Sequence, residues 1–362
     1  MLVFDADAHV EEGPKTWEFL DAENYPRRPI TVTFEKDTIW GEHNAVWLID
    51  YKVRQFAANP TTMTRAVKKP QSVASQELSD VGARIDDLDK YGIGKQVIYP
   101  SLWLGCLAED VDLEIALAKS YNEFMATQCN QSGGRLFYSA VIPFRRPDAA
   151  VEEIRRVRQM GSAVSIFVRG MEWDMPVSHP MFWPIYEEAE RQQLVMALHI
   201  GFGSPSIVRM FEGMPRSARQ GHIPIARSLG SGLLSGQLSQ YALGCVLNSE
   251  ILEHFPHLRW VVLETGSEWI PPVVRAQSRR RGKDMASYFK SGQICVSAEP
   301  EERIPDVVDC LGDECLVVAS DMPHGDDFHH DRPEEAWLER GDLSQKTLEK
   351  ILKENTARLY GI

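Results

Sequence analysis

Leu2-Val3-Phe4-Asp5-Ala6-Asp7-Ala8-His9 opens the chain as an apolar run that turns abruptly acidic and ends in a histidine. Such a start reads as the beginning of a buried strand. Side chains two apart in a strand share a face, so Asp7 and His9 are expected to project together from its C-terminal end. A carboxylate and an imidazole held a few ångströms apart offer two ligands to one cation. The plain alternative is a surface Asp beside a loop His.

Further along, residues 96–100, 136–143, 163–168, 194–199, 260–264, 294–297 and 315–320 read as strands. Helix-length segments separate most of them. Residues 80–90 carry Val81, Ile85 and Leu88 at helical spacing and stop at Gly92 and Gly94. Segments 113–131, 148–160, 181–193, 239–254 and 267–281 continue the alternation. Strands alternating with helices build right-handed βαβ units on a parallel sheet. Eight strands of this kind predict an α/β fold, the closed (β/α)8 TIM barrel. A doubly wound open sheet is the rival, but no glycine-rich dinucleotide loop follows the first strand. Residues 13–75, rich in Pro, Trp, Thr and Lys, are read as an irregular insertion or lid within one domain spanning 1–362.

A chain of 362 residues, 43% hydrophobic, is long enough for one such barrel with an N-terminal insertion. Its formal net charge of −13 argues against nucleic acid or an anionic membrane as partner, leaving a small-molecule substrate. Cys106, Cys129, Cys245, Cys295, Cys310 and Cys315 form no CxxC pair and no regular framework. The N-terminus enters a strand without a basic, then apolar, leader. No apolar run approaches the roughly 20 residues that a membrane span needs. A reduced, cytoplasmic enzyme is the expectation.

Barrel enzymes assemble their sites where the strands end. The fifth strand runs into His199, the sixth into Glu264, and the eighth into Asp321 followed by Met322-Pro323-His324. Each has an ordinary reading, as a satisfied core histidine or as a carboxylate capping the next helix. Buried together, however, such groups are costly unless paired or bound to a metal. Asp7, His9, His199, Glu264 and Asp321 are therefore the candidate metal ligands, a mixed oxygen and nitrogen set that suits Fe, Zn or Mn. Arg169, after the fourth strand, is a candidate for a substrate carboxylate, or equally for the acid of a neighbouring helix. Tyr99 and Trp103 are candidate pocket walls, although aromatics there often only pack. His222 lies in the segment 202–238 with Arg209, Arg216, Arg219 and Arg227, a basic stretch that fits an anionic substrate or a solvated loop. His329-His330 reads as an exposed pair.

With these positions in view, the chain resembles the amidohydrolase superfamily. The likeness is to the amidohydrolase-related branch that includes aminocarboxymuconate-semialdehyde decarboxylase and γ-resorcylate decarboxylase. It covers nearly the whole chain. It rests on the donor positions together with Arg84-Ile85-Asp86-Asp87-Leu88 and Gly92-Ile93, Val97-Ile98-Tyr99-Pro100, and Ser320-Asp321-Met322-Pro323-His324. The resemblance implies a (β/α)8 barrel with one or two divalent ions at the strand ends, and a homodimer. Asp7 and His9 match the family's first-strand pair, usually His-x-His, and His199 matches the fifth-strand ligand. Asp321 matches the aspartate that in relatives binds metal or takes the proton of the attacking water. Glu264 stands where the decarboxylases carry a histidine thought to serve in acid–base work.

That last departure makes a two-ion site the expectation. Asp7, His9 and Asp321 would hold one ion, and His199 and Glu264 another about 3.5–4 Å away. No lysine stands on the fourth strand to bridge them; Val168-Arg169 is there instead, so a hydroxide or Glu264 would bridge. The activity expected is that of a metal-dependent hydrolase cleaving an acyl bond of a small organic acid: an ester, amide, lactone or thioester, including an acyl-CoA. Asp321 would accept the proton of metal-activated water and His324 would assist the leaving group. The alternative is a single-metal, non-oxidative decarboxylase of an aromatic or enoic acid.

Overall fold

Strand and helix alternate as expected in the computed structural model, which describes residues 2–33, 45–54, 70–210, 236–324 and 332–362. The strands in chain order are β1 (Val3–Val10), β2 (Ile30–Thr33), β3 (Ala45–Ile49), β4 (Lys52–Arg54), β5 (Ile93–Pro100), β6 (Leu136–Ala140) and β7 (Ala163–Val168). They continue with β8 (Met171–Glu172), β9 (Met175–Pro176), β10 (Val195–Leu198), β11 (Trp260–Val262), β12 (Ile294–Ser297) and β13 (Leu316–Val317). Eight of them form one sheet in the order β1-β5-β6-β7-β10-β11-β12-β13, with every neighbouring pair parallel. The sheet curls so that its ends meet. Ala6 N donates to Val318 O at 2.9 Å, Asp321 N to Asp7 O at 3.0 Å, and His9 N to Met322 O at 2.7 Å. These bonds run just beyond β13 and bring the eighth strand's end against the first, as a (β/α)8 barrel requires.

A strand covered by helices outside and by other strands inside is apolar on both faces. Val-Met-Ala-Leu in β10 and Trp-Val-Val in β11 are entirely buried. β1 departs from that rule. Asp5, Asp7 and His9 occupy alternate positions and are fully buried, while Ala6, Ala8 and Val10 fill the other face. β1 also runs on to Val10, well past its apolar start.

The helix over Val81–Lys90 begins where Asp80 accepts the Ala83 amide, a standard N-cap. Segment 239–254, which reads as one helix, is two: Gly236–Asn248 and Ile251–His254. Ser249 breaks it, its hydroxyl donating to Val246 O and accepting from Ile251 N. Local side-chain bonds of that kind compete with the helix ladder.

Residues 13–75 are not irregular throughout. β2, β3 and β4 pair antiparallel into a small sheet that buries Trp47 and Ile49. Arg27 ties the segment to the barrel, with Nε on Asp50 and Nη2 on Asp110, each at 2.8 Å. Asp110 is itself the N-cap of the helix Val111–Cys129. No described helix is long and apolar enough to cross a membrane.

Candidate metal centre

The period of two along β1 aims Asp7 and His9 into the barrel mouth, and three other strand ends bring the remaining donors to them. His199 directly follows β10, and its amide donates to Val168 O at 2.9 Å. Glu264 follows β11 and Asp321 follows β13, both in the left-handed region with φ of 56° and 54°. Non-glycine residues there store of order 1–3 kcal/mol each and concentrate at functional sites. Ser297 Oγ accepts the Glu264 amide at 3.1 Å, which with the Asp7 carbonyl on Asp321 N holds both turns in place.

His9 Nε2 is the hub. It lies 3.1 Å from Glu264 Oε1, 3.4 Å from Asp321 Oδ1, 3.7 Å from Asp7 Oδ1 and 3.2 Å from His199 Nε2. His199 Nε2 is 3.4 Å from Asp7 Oδ2 and 3.6 Å from Glu264 Oε1. Donors bound to one cation at about 2.0–2.2 Å, roughly 90–110° apart, are separated by about 3–3.6 Å. The observed spacings fit that geometry.

The protons point the same way. His199 Nδ1 is 2.9 Å from the Ile200 carbonyl, which accepts its N–H and leaves the Nε2 lone pair facing the cluster. Burial drives His9 well below the ordinary histidine value, so its ring is neutral, as a ligand must be. Burial raises Asp7, partly offset by His199. Among the described residues, neither Asp7 oxygen meets a hydrogen-bond donor. An acceptor-only group buried this way beside the His199 Nε2 lone pair is costly; a divalent cation would satisfy it. Burial would raise Asp321 too, but the adjacent His324 outweighs that and holds it far below the usual carboxylate range.

Behind the donors lies a polar layer that local patterns did not flag. Asp5 accepts from Ser320 N, Ser320 Oγ and Gln96 Nε2 at 2.9, 2.6 and 2.8 Å. Burial, opposed by those bonds, leaves it at about 7. Arg84 donates through Nε to Gln96 Oε1 at 2.9 Å and through Nη2 to the carbonyls of His9 and Met322 at 3.1 and 3.2 Å. It thereby straps the β1 end to the Asp321 turn. An arginine on the buried face of a predicted helix was the one available signal.

The expected substrate residues are placed differently. Arg169 is buried and committed, pairing with Glu172 and donating through Nη1 to Gly105 O at 2.9 Å. Its acid comes from the β8–β9 hairpin, not from a neighbouring helix. Tyr99 braces His199: the rings stack at 5.3 Å, and the hydroxyl meets Tyr360 at 2.8 Å and Ser165 at 3.3 Å. Trp103 is buried in the turn Leu102–Leu104. Arg209 is exposed on the helix Pro205–Met210. His222, Arg216, Arg219, Arg227, His329 and His330 lie outside the described residues. His324 does join the cluster, with Nδ1 at 2.8 Å from Asp321 Oδ1 and its ring stacked on His9 at 4.0 Å. His9, of the first expected set, lies 3.1 Å from Glu264 and 3.2 Å from His199 of the second.

Known proteins share the fold at low identity. γ-Resorcylate decarboxylase from Rhodococcus jostii (strain RHA1) is 26% identical over 268 residues, covering 68% of this chain and 77% of that protein. The structure of an amidohydrolase from Mycobacterium avium subsp. paratuberculosis K-10 superimposes with a TM-score of 0.78 at 18% identity, over 100% of this chain and 98% of that one. A dihydroxybenzoic acid decarboxylase from Polaromonas sp. JS666, solved with manganese and 2-nitroresorcinol, gives a TM-score of 0.62 at 20% identity, over 77% and 85%. The amidohydrolase family model matches residues 106–362, which include three of the five donors. The chain belongs to the amidohydrolase family.

Proposed function

We propose that the protein is a single-metal, non-oxidative decarboxylase of a hydroxylated aromatic acid. The observation that carries this reading is the sharing of His9 Nε2. Among the described residues, the two groups of donors that could hold an ion, Asp7-His9-His199-Glu264 and His9-Glu264-Asp321-His324, have His9 and Glu264 in common. An imidazole nitrogen has one lone pair and binds one ion. One centre fits that overlap better than two. The decarboxylase activity of the curated relatives supports the same choice over acyl hydrolysis.

Asp7, His9, His199 and Asp321 would hold the ion with Glu264, and the donor set suits Mn, Zn or Fe. A divalent ion held there would supply positive charge to anchor an anionic substrate and to draw electron density from it. The bond from ring carbon to carboxylate then breaks, its electron pair stays on the ring, carbon dioxide leaves, and a proton replaces it. Asp321 and His324 form the proton-bearing pair, at 2.8 Å. The histidine absent from the sixth strand is thus replaced in function by His324, three residues beyond the eighth-strand aspartate. Water is excluded because Asp7, His9 and His199 are fully buried and Glu264 and Asp321 nearly so.

Glu264 itself favours the second reading, hydrolysis of an acyl bond, since a carboxylate there suits a hydroxide-bearing site. Incubation of the manganese-loaded protein with 2,6-dihydroxybenzoate and related hydroxybenzoates, following carbon dioxide release, tests the choice. Carbon dioxide from any of them supports the decarboxylase. Hydrolysis of esters or thioesters without carbon dioxide release from the acids supports the hydrolase.

A further inference from the structure

Taking the decarboxylase reading as the use to which the proton is put, we propose that Ser101 is the positioning residue of the proton transfer. Its hydroxyl holds His324 in the tautomer and orientation that face Asp321. Ser101 stands one residue past β5 and is fully buried. Its Oγ is 2.9 Å from His324 Nε2, while Nδ1 on the far side of the ring is 2.8 Å from Asp321 Oδ1. Glu11 Oε1 also faces Nε2, but at 3.9 Å, too far for a hydrogen bond.

An ionised carboxylate can only accept, so in the 2.8 Å ion-pair contact with Asp321 the nitrogen that carries the proton is Nδ1. Nε2 is then a lone pair when the ring is neutral and an N–H when it carries a second proton. A hydroxyl serves both cases, donating in the first and accepting in the second. Before and after the proton moves, Ser101 therefore keeps the ring in one orientation. Alanine can do neither, and threonine can do both.

The hydroxyl is placed from behind. Glu12 Oε2 accepts the Leu102 amide at 2.8 Å, and the turn Leu102–Leu104 closes with Leu104 N on Ser101 O at 3.2 Å. Stacking on His9 fixes the plane of the imidazole. Ser101, His324 and Asp321 thus repeat the order of a serine–histidine–aspartate triad. Such a triad needs backbone amides free to meet an oxyanion. The amide following Ser101 is held by Glu12, so Ser101 orients and does not attack.

The test compares wild type, Ser101→Ala and Ser101→Thr in two ways. Long-range proton–nitrogen spectra of zinc-loaded, histidine-labelled protein read the tautomer of His324. Steady-state decarboxylation of 2,6-dihydroxybenzoate by the manganese-loaded enzyme reads the rate. The expected result is an Nδ1–H tautomer in wild type and Ser101→Thr, and a mixture in Ser101→Ala. With it, kcat of Ser101→Ala falls roughly 10- to 100-fold at unchanged KM and metal content, and threonine recovers most of the loss. An unchanged tautomer and kcat in Ser101→Ala would overturn the assignment, as would covalent labelling of Ser101 by a fluorophosphonate. If wild type releases no carbon dioxide, the decarboxylase reading fails while the spectra still decide the role of Ser101.

Discussion

His9 Nε2 and His199 Nε2 lie 3.2 Å apart, and His199 donates its Nδ1–H to the Ile200 carbonyl. Three carboxylates surround this pair, and the Asp7 oxygens meet no donor among the described residues. Removing the cation that such a cluster invites leaves buried acceptors facing one another. Chelation is therefore predicted to lower the melting temperature, read by calorimetry with and without added manganese. Asp7→Asn should reverse the balance. It is expected to weaken metal retention yet make the metal-free protein more stable by roughly 1–3 kcal/mol, because an amide donates where the carboxylate cannot.

Asp321 is predicted to matter more for turnover than for metal. Asp7, His9, His199 and Glu264 form a donor group without it. Asp321→Asn should retain most of the bound metal and lose about 10²- to 10⁴-fold in kcat, the usual worth of a positioned acid–base group. Metal analysis beside steady-state kinetics separates the two effects. Equal loss of metal and rate would mean that Asp321 serves mainly as a ligand.

Arg84 is a buried guanidinium, lowered by desolvation to about 10 and still charged at neutral pH. Its bonds to the His9 and Met322 carbonyls cross from strand one to the turn after strand eight. Arg84→Ala is predicted to cost about 3–5 kcal/mol in denaturant unfolding, as when one partner of a buried charged network is removed. Arg84→Lys should not rescue it, since an ammonium cannot span three acceptors in a plane.

Glu12 gives the pH dependence. Burial pushes it up to about 8, against 4.5 for an ordinary glutamate, with the Leu102 amide opposing. Between those values the native state holds a proton that the unfolded chain has released. Its contribution to stability therefore declines as pH rises from about 4.5 to about 8 and is flat beyond. Glu12→Gln removes that slope. Measured as unfolding free energy from pH 5 to 9, the variant should gain on wild type with rising pH. Parallel curves would show that Glu12 is not buried as described.

The barrel was legible because most of its strands are apolar runs, several of which end in one conspicuous polar residue. The same feature exposed His199, Glu264 and Asp321. Where the sequence misled, the missing information was tertiary. Asp7 and His9 could be paired with each other by local period, but which of the other donors His9 meets depends on how the eight strands curl. The number of ions is set by the same curl, which local period does not encode. Ser101 carries no pattern at all: its partner, His324, is 223 residues away. Arg169 looked available because its partner Glu172 belongs to a two-residue strand, too short to leave a period. The small sheet of β2, β3 and β4 was hidden by its Thr- and Lys-rich surroundings, although Trp47 and Ile49 alternate in burial with Leu48.

The proposed chemistry depends on a single ion at the His9 hub. Quantifying metal in protein purified without chelator tests this most directly. About one divalent ion per chain, falling sharply in His9→Ala and His199→Ala, is the predicted result. Two ions per chain, or a full complement retained in both variants, would contradict it.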